Sequence, residues 1–582
     1  MESIKWILGY LNKYKFRYSL GMFLVLLISL VNMINPFIFG KIVDEVMGQG
    51  KINLLMPLLV IALSIVIIKN IIGYGYQIVF ETVSQKVLLQ IREDLYNKLL
   101  SLDFSYYNRV RTGDIMARMT GDTDALRHFI AWVIFCSIEQ LSVFIFAIVS
   151  MVYISPVLTV LMLAICPFIY YITKKMSDEI NPTFYDIREA YSSLNSVVQE
   201  NISGNRVVRA FNREEYEIEK FDKENKNYRD KNLATVNITK KFIPKLHLTT
   251  SLLNIIMILF GGIFVIQGKI TIGDIVVFNS LLWALNNPMN MVGNLVNDTQ
   301  RFIASSAKIR ELLQTESKIK NSDNAINPRK IKGNIRFENV SFKFEDTDAV
   351  SNISFEVKRG QTIGIVGHTG SGKSTLINLL SRFYDPTKGN IYIDNINIKE
   401  MDLAKLRSSI TSAMQEIFLF SDTVKDNISY GNHEADFSKV KEKAKIAQAH
   451  SFITKLDEGY ETVIGERGVG LSGGQKQRIS LARAMMKDSS ILILDDVTSA
   501  VDMETEKKIQ KELKEIGADK TTFIIAHRIS TVSAADLILV LDNGEIVERG
   551  NHEELMSKKG YYYNIYNTQS GEFDIKEEIT NG

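Results

Sequence analysis

Long windows without a charged residue dominate the first half of the chain. They cover residues 18–40, 52–68, 140–173, 246–268 and 275–297. A bilayer core of about 30 Å requires roughly 20 helical residues, so each window, the second extended by 70–80, suffices for a membrane span. The 140–173 window is too long for one span, and Ser155-Pro156 offers a break because the residue before a proline disfavours helix. We therefore predict six membrane helices, at 18–42, 54–80, 129–153, 157–175, 246–267 and 274–297.

Lysine and arginine concentrate in the two long loops that follow the second and fourth predicted helices. These basic residues are Lys86, Arg92, Lys98, Arg109, Arg111, Lys174, Lys175, Arg206 and Arg209. By the positive-inside rule both loops are cytoplasmic, and both termini then lie inside as well. Apolar residues recur every three to four positions from Leu88 to Leu102, which is typical of an amphipathic helix. We expect 85–128 and 174–243 to be helical extensions of the membrane helices.

Composition narrows the classes of protein. A chain of 582 residues is too long for one ordinary domain, and 46% hydrophobic residues exclude a disordered chain. The net charge of +2 gives no support to nucleic-acid binding. Only Cys136 and Cys166 are present, which excludes a disulfide framework and a Cys-rich zinc site. The first apolar run is far longer than the core of a signal peptide, so no cleavable signal is expected.

The pattern changes near residue 321. The polar segment 322–328 predicts a linker. After it, strand-like and helical segments alternate, as in an α/β domain with a parallel core sheet.

A phosphate-binding loop follows the β-branched strand 362–366. Residues 367–374 fit G-x-x-x-x-G-K-S/T between a strand and a helix, a context that a ligand-free glycine turn does not explain. Glycines let successive N–H groups point inward at phosphate oxygens, and the helix N-terminus adds a positive dipole. Lys373 should reach the β- and γ-phosphates, and the Ser374 hydroxyl should ligate Mg²⁺. The predicted nucleotide-binding residues of this loop are Gly367, Gly370, Ser371, Gly372, Lys373, Ser374 and Thr375.

A second apolar strand, 490–494, ends in Asp495. A carboxylate at the tip of a buried strand beside a P-loop is the expected partner of Mg²⁺, directly or through water. The two features together predict a nucleoside triphosphatase.

Residues 471–475 read LSGGQ, and here the second half resembles the nucleotide-binding domain of ABC transporters, which carry this signature. Other landmarks of that family occur in order, at Gln415, 465–468, 499–502 and His527. The whole chain resembles an ABC exporter half-transporter of the type IV fold. This implies an α-helical membrane domain with long cytoplasmic extensions, followed by an α/β P-loop ATPase domain with a helical subdomain. In such proteins the segments matching 112–114 and 204–211 lie near the loop tips and dock on nucleotide domains.

The resemblance implies domain bounds and residue roles. We expect a membrane domain at 1–315, a linker at 316–330, a nucleotide-binding domain at 331–575 and a polar tail at 576–582. Phe344 stands where the family usually has an adenine-stacking Tyr, and it keeps the aromatic face. Gln415 would contact Mg²⁺ and sense the membrane domain, and His527 would contact the γ-phosphate and attacking water. The signature residues expected at ATP bound mainly to the other nucleotide domain are Ser472, Gly473, Gly474 and Gln475.

One residue departs from the family pattern. The position after Asp495 is usually a Glu that acts as general base, and here it is Asp496. Asp is shorter by one methylene, about 1.5 Å, whereas a general base must lie within roughly 2.6–3.2 Å of its proton. This chain should therefore bind ATP but hydrolyse it poorly at its own P-loop. Two composite sites then favour a heterodimer whose other chain carries Glu. The alternative is that Asp496 serves as base through a relaxed backbone or an extra water.

The resulting hypothesis is ATP-driven export by alternating access, with ATP and Mg²⁺ bound, in a cell or inner membrane. The partners expected are a second half-transporter chain, the lipid bilayer and a small hydrophobic or amphipathic substrate such as a drug, lipid or peptide. The alternatives are a homodimeric exporter, an importer of the same fold that takes up siderophores, and, from another functional class, an ATP-gated channel or regulator. A soluble ABC ATPase conflicts with the apolar windows. Glu139, in the third predicted helix, could attract cationic substrates or lie near lipid headgroups.

Overall fold

The structure is a computed structural model that describes residues 2–345, 347–517, 519–526 and 528–570. The chain divides into two compact units: unit 1 comprises residues 1–100 and 111–315, and unit 2 comprises residues 101–110 and 316–582. The described residues before 315 are helical, joined by short 3₁₀ and π turns. Their α-helices are α1 (Glu2–Leu11), α2 (Lys15–Val31), α3 (Ile34–Lys41), α4 (Leu55–Ser101), α5 (Phe104–Arg109), α6 (Thr112–Ala117), α7 (Thr123–His128), α8 (Ile134–Ile154), α9 (Pro156–Leu163), α10 (Cys166–Ser203), α11 (Asn205–Ala210), α12 (Glu214–Ile266) and α13 (Ile272–Gln314).

Among the described residues, five helical stretches are long and apolar enough to cross a membrane. They are Glu2–Gly48, Ile52–Ser101, Thr112–Ile154, Pro156–Ser203 and Glu214–Ile266. They contain the first four predicted spans and all but the last residue of the fifth, 246–267. The sixth predicted span lies in α13, whose charge-free window carries several asparagines that lower its hydropathy. The sixth span therefore stays a prediction.

Three local predictions for the helical half are confirmed. The chain breaks at Ser155, whose extended backbone ends α8, while its side chain accepts a hydrogen bond from Leu158 N of α9. Pro156 is the first residue of α9, where a missing N–H costs nothing. The apolar stripe of α4 is buried from Leu88 to Leu99, as its spacing predicts. Both predicted extensions, 85–128 and 174–243, are largely helical.

Helices α3 and α13 of unit 1 approach each other at two glycines. A Cβ on Gly40 would lie 2.6 Å from Val277 Cγ2 and 2.9 Å from Gly273 O. A Cβ on Gly273 would collide with Gly40 O and the Asp44 carboxylate. Asp44 Oδ1 accepts a 2.7 Å hydrogen bond from Gly273 N, one of the N–H groups at the start of α13 that have no partner within the helix. Because Gly40 and Gly273 have no side chains, α3 and α13 can approach this closely, and the Asp44 carboxylate caps the start of α13.

Unit 2 contains the strands. They are β1 (Ile335–Phe344), β2 (Thr347–Val357), β3 (Thr362–Val366), β4 (Lys388–Ile393), β5 (Ile396–Asn397), β6 (Ile410–Ala413), β7 (Ile491–Asp495), β8 (Thr521–Ile525), β9 (Leu537–Asp542) and β10 (Glu545–Gly550). Its α-helices after α5 are α14 (Lys373–Leu380), α15 (Leu403–Ser409), α16 (Val424–Ser429), α17 (Phe437–Ile446), α18 (His450–Ile453), α19 (Gly473–Met486), α20 (Met503–Gly517), α21 (Ile529–Val532), α22 (His552–Lys558) and α23 (Tyr561–Ser570).

The strands form two sheets. One is antiparallel, in the order β2-β1-β4-β5, and the other has the order β10-β9-β3-β8-β7-β6. In the second sheet β9, β3, β8, β7 and β6 run parallel, which confirms the predicted parallel core. Strand β7 reads Ile-Leu-Ile-Leu and is buried over those four residues, as expected for a parallel strand covered on both faces. Helices α16 to α19 form the helical subdomain, and their apolar residues share one cluster with residues of β6, β7 and α20.

Two segments outside the sheets are anchored to unit 2. Helix α5 is N-capped by Asp103, whose other carboxylate oxygen accepts hydrogen bonds from Ser317 Oγ at 3.0 Å and Lys318 N at 2.5 Å. Residues 316–330, the predicted linker, are tied down as well. Ile326 exchanges backbone hydrogen bonds with Glu400 and Asp402. The predicted tail at 576–582 lies outside the described residues.

Candidate nucleotide-binding site

The loop between β3 and α14 depends on its glycines. Gly367, Gly370 and Gly372 all have positive φ, at 155°, 86° and 98°. A Cβ on Gly372 would lie 2.7 Å from Ala349 O, so this position has no room for a side chain. Around Gly370, by contrast, a Cβ would meet no atom within 4 Å. The loop is packed against the protein at its ends and open at its middle, as a phosphate cradle requires.

Lys373 folds back onto this loop. Its ammonium donates hydrogen bonds to Gly367 O at 2.9 Å and His368 O at 2.8 Å. Burial lowers the pKa of this ammonium, while the nearby carboxylates of Asp495 and Asp496 act in the opposite direction. Its bonds to neutral carbonyls leave the positive charge uncompensated by a bonded anion, so it is suited to phosphate oxygens.

The two predicted magnesium ligands lie next to each other. Ser374 Oγ donates a hydrogen bond of 3.4 Å to Asp495 Oδ2. A hydroxyl and a carboxylate are the hard oxygen donors that Mg²⁺ prefers, and Mg²⁺ commonly completes its shell with water and substrate phosphates. The described residues contain no group of three or more His, Cys, Asp or Glu that could hold a metal by itself. The Ser374 hydroxyl and the Asp495 carboxylate fit a magnesium ion whose other ligands are water and phosphate oxygens.

The order of the parallel sheet explains why distant residues meet here. The P-loop follows β3, Asp495 ends β7, and β8 lies between those strands. Carboxyl ends of parallel strands share one edge of the sheet, where ligands bind in open α/β folds. Gln415 follows β6 at the same edge and is exposed. His527, which follows β8, lies outside the described residues.

Phe344 ends β1 and is 40% exposed, so part of its ring is free to stack. Its ring meets that of Tyr384 edge to face, with centroids 5.3 Å apart. The Tyr384 hydroxyl accepts a 2.8 Å hydrogen bond from Asn108 Nδ2 on α5. Phe104 of the same helix packs on Phe383 at 4.5 Å between centroids. Helix α5 thus touches the support of the predicted adenine-binding ring.

The signature residues begin α19. Ser472 is its N-cap, with Ser472 Oγ accepting from Gln475 N at 3.3 Å and Gln475 Oε1 accepting from Ser472 N at 2.8 Å. This capping box uses the Gln475 side chain within the helix. Ser472 and Gly473 are exposed, and the free N–H groups and dipole of a helix N-terminus favour an anion.

Asp496 occupies a left-handed turn. Its φ is 51°, a region in which non-glycine residues are uncommon and Asp and Asn are enriched. Its backbone N–H donates to Ile525 O at 2.9 Å, which fixes the turn to the end of β8. The side chain of Asp496 therefore extends from a backbone whose position is fixed by this hydrogen bond to β8.

Sequence analysis missed several residues around this site. Asn108 and Phe104 lie just before the predicted loop-tip segment 112–114, and the Asp-Phe-Ser spacing at 103–105 is a helix-cap signal that could have marked their helix. Gln477 stands among the charged residues of α19 and is buried against the Asp496 turn. A polar residue in a charged run gives no sequence signal of burial.

Two family models match the chain. The model described as "ABC transporter transmembrane region" matches residues 18–289, and the model described as "ABC transporter" matches residues 350–499. The second match includes the P-loop, the signature and both aspartates.

Whole-length relatives agree with both models. An uncharacterized ABC transporter ATP-binding protein of Bacillus subtilis, YknU, is 38% identical over 98% of each chain. An ATP-dependent lipid A-core flippase of Syntrophus aciditrophicus is 32% identical over 100% of this chain and 96% of its own. A solved structure of a bacterial Atm1-family ABC exporter with ATP bound is similar over 96% of this chain and 99% of its own. That similarity has a TM-score of 0.79 at 27% identity.

Proposed function

The chain belongs to the ABC transporter family, with a transmembrane region fused to an ATP-binding domain whose ATPase activity is coupled to transport, and from this premise we propose the following function. The protein is one half of a dimeric exporter that moves a small hydrophobic or amphipathic molecule across a cell membrane by alternating access. The observation that carries the proposal is the meeting of Lys373, Ser374 and Asp495 at one sheet edge.

ATP would bind with its phosphates over the P-loop, where the free N–H groups, the α14 N-terminus and Lys373 supply positive potential. Ser374 and Asp495 would hold Mg²⁺, with Gln415 as a further oxygen ligand. When bound, the ion would neutralise developing negative charge on the phosphates. The exposed ring face of Phe344 would stack on the adenine.

The signature residues Ser472 and Gly474 would close over ATP held by the P-loop of a second chain. Two chains would thus form two composite sites, each with a P-loop from one chain and a signature from the other. ATP binds such a closed dimer better than separated domains, which is the differential affinity that any ligand-driven change of state requires.

Asp496 would act on the water that attacks the γ-phosphate. Its carboxylate is about 1.5 Å shorter in reach than that of Glu, and a small misplacement can cost roughly 10²-fold in rate. We therefore infer slow hydrolysis at this chain's P-loop and a different partner chain that carries Glu.

A homodimer that uses Asp496 as base is the second candidate, and one observation favours it. The turn at Asp496 is left-handed, and Asp tolerates that backbone better than Glu. In this candidate Asp stands at position 496 because it suits the left-handed backbone. A bridging water would then span the distance that its shorter side chain leaves.

Helix α5 would carry the state of the nucleotide site towards the membrane helices. The chain runs directly from α4 into α5, and α5 contacts Phe383 and Tyr384 beside Phe344. Both termini would lie in the cytoplasm, because the basic loops face that side. Amphipathic lipids are one substrate class in keeping with the flippase relative.

ATPase activity of the purified full-length chain tests the two candidates. We expect low turnover alone, a rise on Asp496→Glu, and strong turnover when a partner chain with Glu is added. Lys373→Ala is the control for nucleotide binding. Robust turnover of the chain alone, abolished by Asp496→Asn and not raised by Asp496→Glu, would contradict the degenerate site and support the homodimer.

A further inference from the structure

The turn that carries Asp496 is held by one buried side chain from another helix. Gln477 Nε2 donates to Asp496 O at 3.1 Å and to Ser499 Oγ at 2.8 Å. Gln477 Oε1 accepts a hydrogen bond of 3.0 Å from Ala500 N. A single amide therefore satisfies both ends of the turn 496–500.

This amide is well placed to act as a brace. Gln477 is only 7% exposed, so its hydrogen bonds meet little competition from water. The Asp496 carbonyl also accepts from Ser499 Oγ at 3.1 Å, which closes a small network around the left-handed residue. A non-glycine residue with positive φ persists only when its surroundings hold it there.

The helix that carries Gln477 is the signature helix. Its N-cap Ser472 lies about one and a half turns before Gln477. Gly474 of the same helix is pressed against the turn, since a Cβ there would lie 2.7 Å from Ala500 O. The first turns of α19 and the turn 496–500 are therefore bound to each other by hydrogen bonds and by close contact.

We infer that Gln477 is a positioning residue for the carboxylate of Asp496, which it orients through the backbone of the turn 496–500. The inference rests on the proposed function, in which Asp496 acts on water at this chain's P-loop. It adds that the same amide ties this base to the signature residues, which serve the P-loop of the partner chain. Closure of the signature on the partner's ATP would thereby adjust the base at the chain's own site.

The test is Gln477→Glu in the full-length chain, measured with and without Asp496→Glu. The substitution keeps size and the accepting oxygen but replaces two N–H donors by an oxygen that faces Asp496 O. We expect kcat for ATP to fall by about tenfold or more, with KM within about twofold. Exchange of backbone hydrogens should quicken at 496–501 only, a readout that does not depend on turnover.

Gln361→Glu is the matched control. Within the described part of the chain, the Gln361 side chain makes one hydrogen bond, in which its oxygen accepts from Lys358 N at 2.8 Å, so the acid can replace the amide. Ser499→Ala is the second variant, because Ser499 is exposed and its substitution is expected to leave the fold intact. It should lower kcat by a few-fold, and the double variant should be no slower than Gln477→Glu, since both act through one network.

Three outcomes would overturn the inference. The first is that Gln477→Glu has the kcat and the backbone hydrogen exchange of the wild type. The second is that exchange quickens throughout unit 2 and the melting temperature falls. The third is that Gln477→Glu and Ser499→Ala lower kcat additively. Failure of the proposed function is distinguishable. In that case the chain that carries neither Gln477→Glu nor Ser499→Ala would bind ATP no better than the Lys373→Ala variant does.

Discussion

At the scale of single residues, two glycines distinguish the cost of steric overlap from the cost of a left-handed backbone. Gly372 and Gly470 have the same φ of 98°, but a Cβ would collide with Ala349 O at Gly372 and would meet nothing within 4 Å at Gly470. Substitution by Ala costs left-handed strain of about 1–2 kcal/mol at either position. Only at Gly372 is there an added cost of overpacking, typically about 1–3 kcal/mol.

We therefore predict that Gly372→Ala destabilises the protein by about 1–3 kcal/mol more than Gly470→Ala. It should also abolish binding of a fluorescent ATP analogue, because the loop must shift away from the α14 N-terminus. Thermal unfolding and a binding titration of both variants measure this. Equal stability of the two variants would show that backbone strain alone explains these glycines.

At the scale of elements, helix α5 is fastened to unit 2 by Asp103. Burial raises the pKa of this carboxyl group, but hydrogen bonds from Ser105, Lys318 and Ser317 outweigh burial and leave the pKa below its usual value. A depressed carboxyl pKa contributes stability that is present above the unfolded value, about 3.9, and is lost as pH falls through the folded value.

Asp103→Ala should therefore destabilise α5 and its attachment by about 0.5–2 kcal/mol at neutral pH. The difference from wild type should hold constant from pH 7 to about pH 5 and shrink below about pH 4. Melting temperatures over that range measure it. Asp348→Asn is the control, since its ion pair with Lys343 is exposed and contributes about 0–1 kcal/mol. A difference that stays constant to the lowest pH would contradict a role for the charge.

The contact between α5 and Tyr384 leads to a separate prediction. Tyr384→Phe keeps the ring against Phe344 and removes only the hydroxyl that accepts from Asn108. ATP affinity should stay within about twofold, whereas stimulation of ATPase by a transported amphiphile should fall, because α5 then loses its polar link to the nucleotide site. Tyr392→Phe on β4 is the control. Loss of ATP affinity in Tyr384→Phe would instead indicate a direct role at the adenine.

At the scale of the whole molecule, a pump and a gated channel differ in the work they perform. Coupling to ATP allows a pump to accumulate substrate against its gradient, whereas a channel only equilibrates it. In inverted membrane vesicles with externally added ATP, we predict accumulation of a fluorescent amphipathic lipid or drug above the external concentration. Lys373→Ala should abolish accumulation. Equilibration without accumulation would favour the channel reading.

Much of this protein could be predicted from its sequence because the signals are local. The apolar windows, the break at Ser155 and the stripe of α4 follow from hydrophobic periodicity and from proline. The P-loop and the signature can be predicted because positive φ angles require glycine and a helix start favours a capping residue. The parallel sheet follows from the alternation of elements. These properties depend on neighbours within a few residues along the chain.

Other properties depend on contacts between distant segments, which one sequence does not contain. The sequence determined that this chain carries apolar spans, a phosphate loop and an Asp where Glu is usual. Tertiary structure decided that Asp496 has a left-handed backbone, that Gln477 reaches it from a helix 19 residues earlier in sequence, and that α5 belongs with unit 2. The physical reason is that hydrogen bonds and burial act through space, so a polar side chain in a charged run gains its role only from packing.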